Sequence, residues 1–144
     1  IGTLGVKSKE FNFETKNTTP DPIDLHKIIN NLSLSGVSHL ALEVSSHAID
    51  QCRINSIDFN SACFTNLSLD HLDYHNSLEN YSNVKFSLFK NILPMDRASV
   101  ICTESKEGKD FSKALKLLNK KTMEIGKNSE FINIESVKKY DSGN

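Results

Sequence analysis

The sequence predicts an α/β domain with a mostly parallel sheet flanked by helices. Two observations predict it. Short, mostly apolar runs look like strands buried in a parallel sheet, and they alternate along the chain with segments whose apolar residues recur at helical spacing. Such alternation points to βαβ units with right-handed crossovers. The chain has 144 residues, of which 38% are hydrophobic and 8 are Phe. That length suits one domain, and that composition suits one core.

Each element has a local reason. Ile1-Gly2-Thr3-Leu4-Gly5 reads as the end of a strand. Thr19-Pro20-Asp21-Pro22 is a stiff extended turn that leads into a helix over residues 22–35. Asp21 is its N-cap, Pro22 occupies the first position where no N–H is needed, and Asp24 suits the positive helix start. Leu25, Ile28, Ile29 and Leu32 form its apolar stripe, and Gly36 stops it. His39–Val44 is predicted as a buried strand, ended by Ser45-Ser46-His47. Phe59–Thr65 is a second strand. Ser77–Ile92 is a second helix, with Leu78, Tyr81, Leu88, Phe89 and Ile92 on one face. Ala98–Thr103 is a third strand and Lys109–Leu118 a third helix. Thr122–Ile125 and Phe131–Val137 are strands nearer an edge. Asp141-Ser142-Gly143-Asn144 has a turn composition. With no Met at the start, the sequence reads as a piece of a longer chain.

Composition excludes several classes. Lys and Arg number 17 against 18 Asp and Glu, a formal net charge of -1. No basic excess is available to neutralise a phosphate backbone, so nucleic acid is not an expected partner. No apolar run approaches the roughly 20 residues that span a bilayer, and the first residues lack a signal-peptide pattern. Cys52, Cys63 and Cys102 are odd in number and irregularly spaced, which fits reduced apolar fillers in a cytosolic protein rather than a disulfide framework.

Ligands of open α/β sheets sit beyond the carboxyl ends of the strands. Glu43 ends one predicted strand there. It suits either a magnesium ligand or a surface carboxylate that caps the strand. The segment Thr65–His75 holds two His, two Asp, an Asn and a Tyr within eleven residues. It suits a divalent cation or proton transfer, or else a solvated loop with Asp70 or Asp73 as a helix cap. Lys85 lies seven residues from both Leu78 and Ile92, so it shares their apolar face. Either it snorkels to water, or it is an amine of lowered pKa, open to modification.

Taken together, N-T-T-P-D-P (Asn17 to Pro22), E-V-S-S-H-x-x-x-Q-x-R (Glu43 to Arg53) and F-T-N-L-S-x-D-H-L-D-Y-H (Phe64 to His75) with K-x-x-L-F (Lys85 to Phe89) resemble the Mur ligases. Within that family they are most similar to the branch that adds the third amino acid of the peptidoglycan stem peptide. I-G-T-L-G at the start and Y-D-S-G (Tyr140 to Gly143) also fit. The likeness is weakest over residues 104–130.

The resemblance implies the family's central ATPase domain and a set of roles. ATP phosphorylates the terminal carboxylate of UDP-MurNAc-L-Ala-D-Glu. The amine of a diamino acid, diaminopimelate or lysine, then attacks the acyl phosphate. Asn17, Thr18, Thr19, Ser45, Gln51 and Arg53 are implied to bind the UDP-MurNAc-dipeptide. Glu43 is implied to hold the Mg²⁺ that travels with ATP, and His71 to assist at a metal. Lys85 is implied to react with CO₂, and the resulting carbamate binds a second Mg²⁺. The enzyme is expected in the cytoplasm, as a monomer, away from membranes. The family's phosphate loop, G-T-N-G-K-T-T, and the strand feeding it are expected before Asn17 and are not in this sequence. Neither is the domain that selects the diamino acid. The expectation is therefore a partial central domain spanning residues 1–144, inactive by itself. The alternatives are another member of the superfamily, such as the ligase adding D-Ala-D-Ala or a folylpolyglutamate synthase, or a non-catalytic module that binds a nucleotide sugar.

Overall fold

The computed structural model describes residues 1–68 and 71–137. Asp70, and the Tyr140–Gly143 segment that entered the resemblance, lie outside the described residues. The chain divides into two compact units, Ile1–Ile57 and Asp58 onward.

The first unit opens with a tight turn bridged between Gly2 and Gly5. A short antiparallel hairpin follows, β1 (Val6–Lys7) with β2 (Asn12–Phe13). Helix α1 spans Pro22–Leu34, with the Asp21 carboxylate accepting from the N–H groups of Ile23 and Asp24. These bonds hold the Asp21 carboxyl below its ordinary pKa. At the far end Val37 N–H donates to Leu32 C=O while Gly36 takes φ +85°, so the glycine stop expected there is used. Leu25 and Leu32 are buried, and Val6, Phe11, Phe13, Ile28 and Leu32 surround a small void of about 30 Å³. Helix α2 (Ser46–Asp50) is one short turn capped by Ser45, whose side chain accepts from Ala48 N–H.

The predicted buried strand at His39–Val44 does not form. His39, Leu40 and Ala41 are exposed, and the segment has no strand geometry. Its ladder-like bonds run to one residue, Ile1, through Ile1 N to Ala41 O and Glu43 N to Ile1 O. Two bonds to a single neighbour do not build a repeating ladder.

The second unit is the expected α/β layer. Strands β3 (Ser61–Phe64), β4 (Ala98–Cys102), β5 (Thr122–Gly126) and β6 (Ile132–Asn133) form a parallel sheet in that order. Phe64, Ile101 and Glu124 stand in register on one face. Helix α5 (Lys106–Leu117) covers that face through Phe111, whose ring centroid is 4.6 Å from that of Phe64, and through Ser112, whose hydroxyl donates to Glu124. Helix α4 (Leu78–Ser87) continues into a π-helical turn over Leu88–Ile92. Its Phe86 and the turn's Phe89 lie 4.9 and 6.5 Å from Phe111, so three aromatic contacts meet on one ring. The sequence pattern starts α5 three residues late, because the apolar stripe begins at Phe111 while the chain enters the helix at the Ser105 N-cap. The last predicted strand shrinks to Ile132–Asn133, paired only with Ile125 and Gly126. The three cysteines are free, but Cys52 and Cys63 are exposed rather than buried fillers. Among the described residues no helix is long and apolar enough to cross a membrane.

Candidate functional site

In the first unit the motif segments meet at Thr19. Pro20 fixes the turn that follows Thr19, and the Thr19 side chain is almost wholly buried, at 1% exposure. Its hydroxyl donates to Glu43 C=O at 2.7 Å and accepts from Ser45 N–H at 3.1 Å. Its own C=O accepts from Arg53 Nη1 at 3.1 Å. Arg53 is in turn steadied by Gln51, whose Oε1 accepts from both Nε and Nη2. One buried hydroxyl thus ties the Asn17–Pro22 turn to the Glu43–Arg53 segment. A guanidinium held by two partners is pre-organised for a phosphate or carboxylate.

Glu43 projects from this frame and is exposed. Its Oε2 accepts from Thr3 N–H and from the Thr3 hydroxyl, both at 2.8 Å. These two donors, backbone first, hold the Glu43 carboxyl below its ordinary pKa. Oε1 accepts no hydrogen bond among the described residues. Thr18 joins through its hydroxyl, 3.2 Å from that of Thr3. Asn17 stands apart from this network. It accepts from the Thr15 hydroxyl through its C=O and lines a cleft of about 320 Å³ with Pro20, Asp21 and Lys27.

In the second unit the expected residues His71 and Lys85 gather around Tyr81. The Tyr81 ring is buried. The His71 ring meets it edge-on at 5.9 Å, the buried His75 ring stacks on it at 5.1 Å, and Lys85 Nζ lies 5.8 Å from its centroid. His71 adopts a left-handed backbone, φ 55°, where helix α3 (Leu72–His75) begins. Lys85 sits one turn beyond Tyr81 on α4. Burial alone pushes its ammonium below the ordinary lysine pKa. Lys85 is half-buried, as are Leu78 and Ile92 at the two ends of the spacing that marked this face.

His75 entered the sequence reading only as one of the two His in the Thr65–His75 segment, and Tyr81 only as part of an apolar helix face, although the i, i+4 spacing of Tyr81 and Lys85 carried the signal. Thr3 left no signal, since its partner Glu43 is 40 residues away. Among the described residues no three His, Cys, Asp or Glu side chains cluster as a metal site. Glu43 belongs to the first unit, and His71 and Lys85 belong to the second.

A family model for the Mur ligase middle domain matches residues 1–144. The UDP-N-acetylmuramoyl-L-alanyl-D-glutamate--2,6-diaminopimelate ligase of Rhizobium meliloti (strain 1021) is 36% identical over 140 residues, covering 97% of this chain and 29% of the relative. A protein of the same name from Bradyrhizobium diazoefficiens is 37% identical over 130 residues, 90% of this chain and 27% of the relative. Another from Listeria monocytogenes serotype 4b (strain F2365) is 48% identical over 92 residues, 64% of this chain and 19% of the relative. The chain thus spans less than a third of the length of each of these relatives. The match over the whole chain, together with the parallel sheet and the motif segments joined at Thr19, shows that this chain belongs to the Mur ligase family as a middle domain.

Proposed function

We propose that this chain is the central part of an ATP-dependent ligase that joins diaminopimelate to UDP-MurNAc-L-Ala-D-Glu in the cytoplasm, acting as a monomer. The relatives' names support diaminopimelate over lysine. The observation that carries the reading is the convergence of the Asn17–Pro22 and Glu43–Arg53 segments on the Thr19 hydroxyl and carbonyl.

In this reading Arg53, braced by Gln51, takes an anionic group of the UDP-MurNAc-dipeptide, and Asn17, Thr18 and Ser45 line its path, while Thr19, buried, serves the site by holding the two segments together rather than by touching the substrate. A carboxylate oxygen of D-Glu takes the γ-phosphoryl group of ATP, the bond to the β-phosphate breaks, and ADP leaves. The diaminopimelate amine attacks the acyl phosphate, an amide forms, and phosphate leaves. Magnesium accompanying ATP supplies neutralisation of the charge on the transferring phosphoryl group. Such ions rely on one or two carboxylates plus substrate phosphates rather than a cage of side chains. Glu43 fits that demand, because its Oε1 is open while Oε2 is held by Thr3. His71, whose ring lies edge-on to Tyr81, would assist where the metal is held. Lys85 fits the second position once modified: its uncharged amine forms a C–N bond to CO₂, a proton goes to solvent, and a carbamate anion replaces the cation. Desolvation of the ammonium favours the uncharged amine that this step needs.

Thermal shift of the full-length protein separates the readings. UDP-MurNAc-L-Ala-D-Glu is expected to raise the melting temperature, while the UDP-MurNAc-tripeptide substrate of the ligase adding D-Ala-D-Ala is expected to raise it far less. Equal protection by both would defeat the assignment. The Arg53→Met variant is expected to lose most of the shift.

A further inference from the structure

We propose that Thr3 is a positioning residue for the metal-binding carboxylate, and that Gly2 provides the space in which that carboxylate is seated. The inference rests on the reading of Glu43 as a magnesium ligand and extends it to two residues that the motif analysis assigns no role.

The geometry is specific. Thr3 offers Glu43 two donors at once, N–H and hydroxyl, and both reach the same oxygen, Oε2, at 2.8 Å. Two donors on one oxygen restrain the carboxylate and leave its second oxygen free to take a cation. The glycine before Thr3 lets the side chain approach. A Cβ placed on Gly2 would sit 2.4 Å from Glu43 Cδ and 2.7 Å from its Oε2, inside contact distance of the carboxylate itself. Residue 2 therefore has no room for a side chain while Glu43 keeps its place, although its φ demands no glycine. The backbone around this pair is also tied down. Ile1 C=O accepts from Glu43 N–H, and Thr19 holds Glu43 C=O. The Thr3 hydroxyl further contacts Thr18, so the carboxylate is coupled to the turn proposed to bind the dipeptide. Neighbours of this kind orient metal ligands, and their loss typically weakens metal binding by about 10–100-fold.

The test uses the full-length protein with Mn²⁺ as the probe. Free Mn²⁺ is followed by electron paramagnetic resonance in the presence of a non-hydrolysable ATP analogue. Thr3→Val is close in shape and lacks the hydroxyl, so it is expected to weaken Mn²⁺ binding by about tenfold. It should raise the Mg²⁺ concentration needed for half-maximal rate more than it lowers kcat. Thr3→Ser should restore both, and Gly2→Ala should reproduce the loss. Thr3→Ala serves the same purpose if the valine variant does not fold. Wild-type Mn²⁺ affinity in folded Thr3→Val, with affinity lost in Glu43→Gln, would overturn the role of Thr3 and leave Glu43 as a ligand. Wild-type affinity in Glu43→Gln would overturn the inference together with the reading beneath it.

Discussion

The lysine on α4 shows how a single residue's titration reports its surroundings. Burial is the one cause that lowers its pKa, with no acidic partner opposing it. Between the lowered folded value and the ordinary value of 10.5, the unfolded chain binds more protons than the folded one. Stability contributed by this site therefore rises with pH toward 10.5, and the charged form weakens the fold at neutral pH. Lys85→Met is expected to increase stability at pH 7 and to flatten that rise, measured by urea titration at pH 7 and pH 10. Unchanged stability at both values would place the amine in water. In the full-length protein, Lys85→Ala is expected to lose activity by about 10²-fold or more, the scale on which lost charge stabilisation acts. Acetate should restore part of it. Glu124 has the opposite sign. The Ser112 hydroxyl, then Lys116, lower its pKa, so its contribution is present above pH 4.5 and is lost as pH falls through the folded value. Ser112→Ala is expected to move acid unfolding to higher pH, as followed by circular dichroism.

At the scale of elements, the start of α5 is set by one close approach. A Cβ on Gly108 would lie 1.9 Å from the Cys102 C=O that ends β4. Alanine normally strengthens a helix interior by up to about 1 kcal/mol over glycine. Here Gly108→Ala is expected to destabilise by roughly 1–3 kcal/mol, because the helix must lift from the strand. Chemical denaturation decides the sign, and a stabilised variant would contradict the contact. This glycine's reason is invisible in the sequence, whereas the Phe111 stripe of the same helix was plain from its spacing. The contrast recurs along the chain. Asp21, Pro22 and Gly36 announced α1 because capping chemistry is local. The β1–β2 hairpin went unread because two residues per strand carry no period. His39–Val44 was read as a buried strand because its composition is right, but composition does not supply a ladder partner. The motif residues Thr18, Thr19, Glu43, Ser45, Gln51 and Arg53 were legible from their order. The meeting of Glu43, Ser45 and Arg53 at Thr19 was not, since those contacts cross 24, 26 and 34 residues.

At the scale of the molecule, what the chain holds is uneven. It carries the Thr19 network and the Tyr81 cluster, yet its sequence contains no glycine-rich phosphate loop. Incubated alone with ATP, Mg²⁺, UDP-MurNAc-L-Ala-D-Glu and diaminopimelate, the 144-residue chain is expected to release no phosphate above background. Turnover by the pure chain would show that another part of it grips the nucleotide.

The strand order of the second unit also bears on how that unit is made. Because β3, β4, β5 and β6 lie side by side in the order they are encoded, every crossover joins immediate neighbours. No later strand has to be threaded between two earlier ones. Contact order stays low for a parallel sheet, so loop closure before each new pairing is brief. A nascent chain emerging from the ribosome can add its strands one at a time, each docking on the edge left by its predecessor.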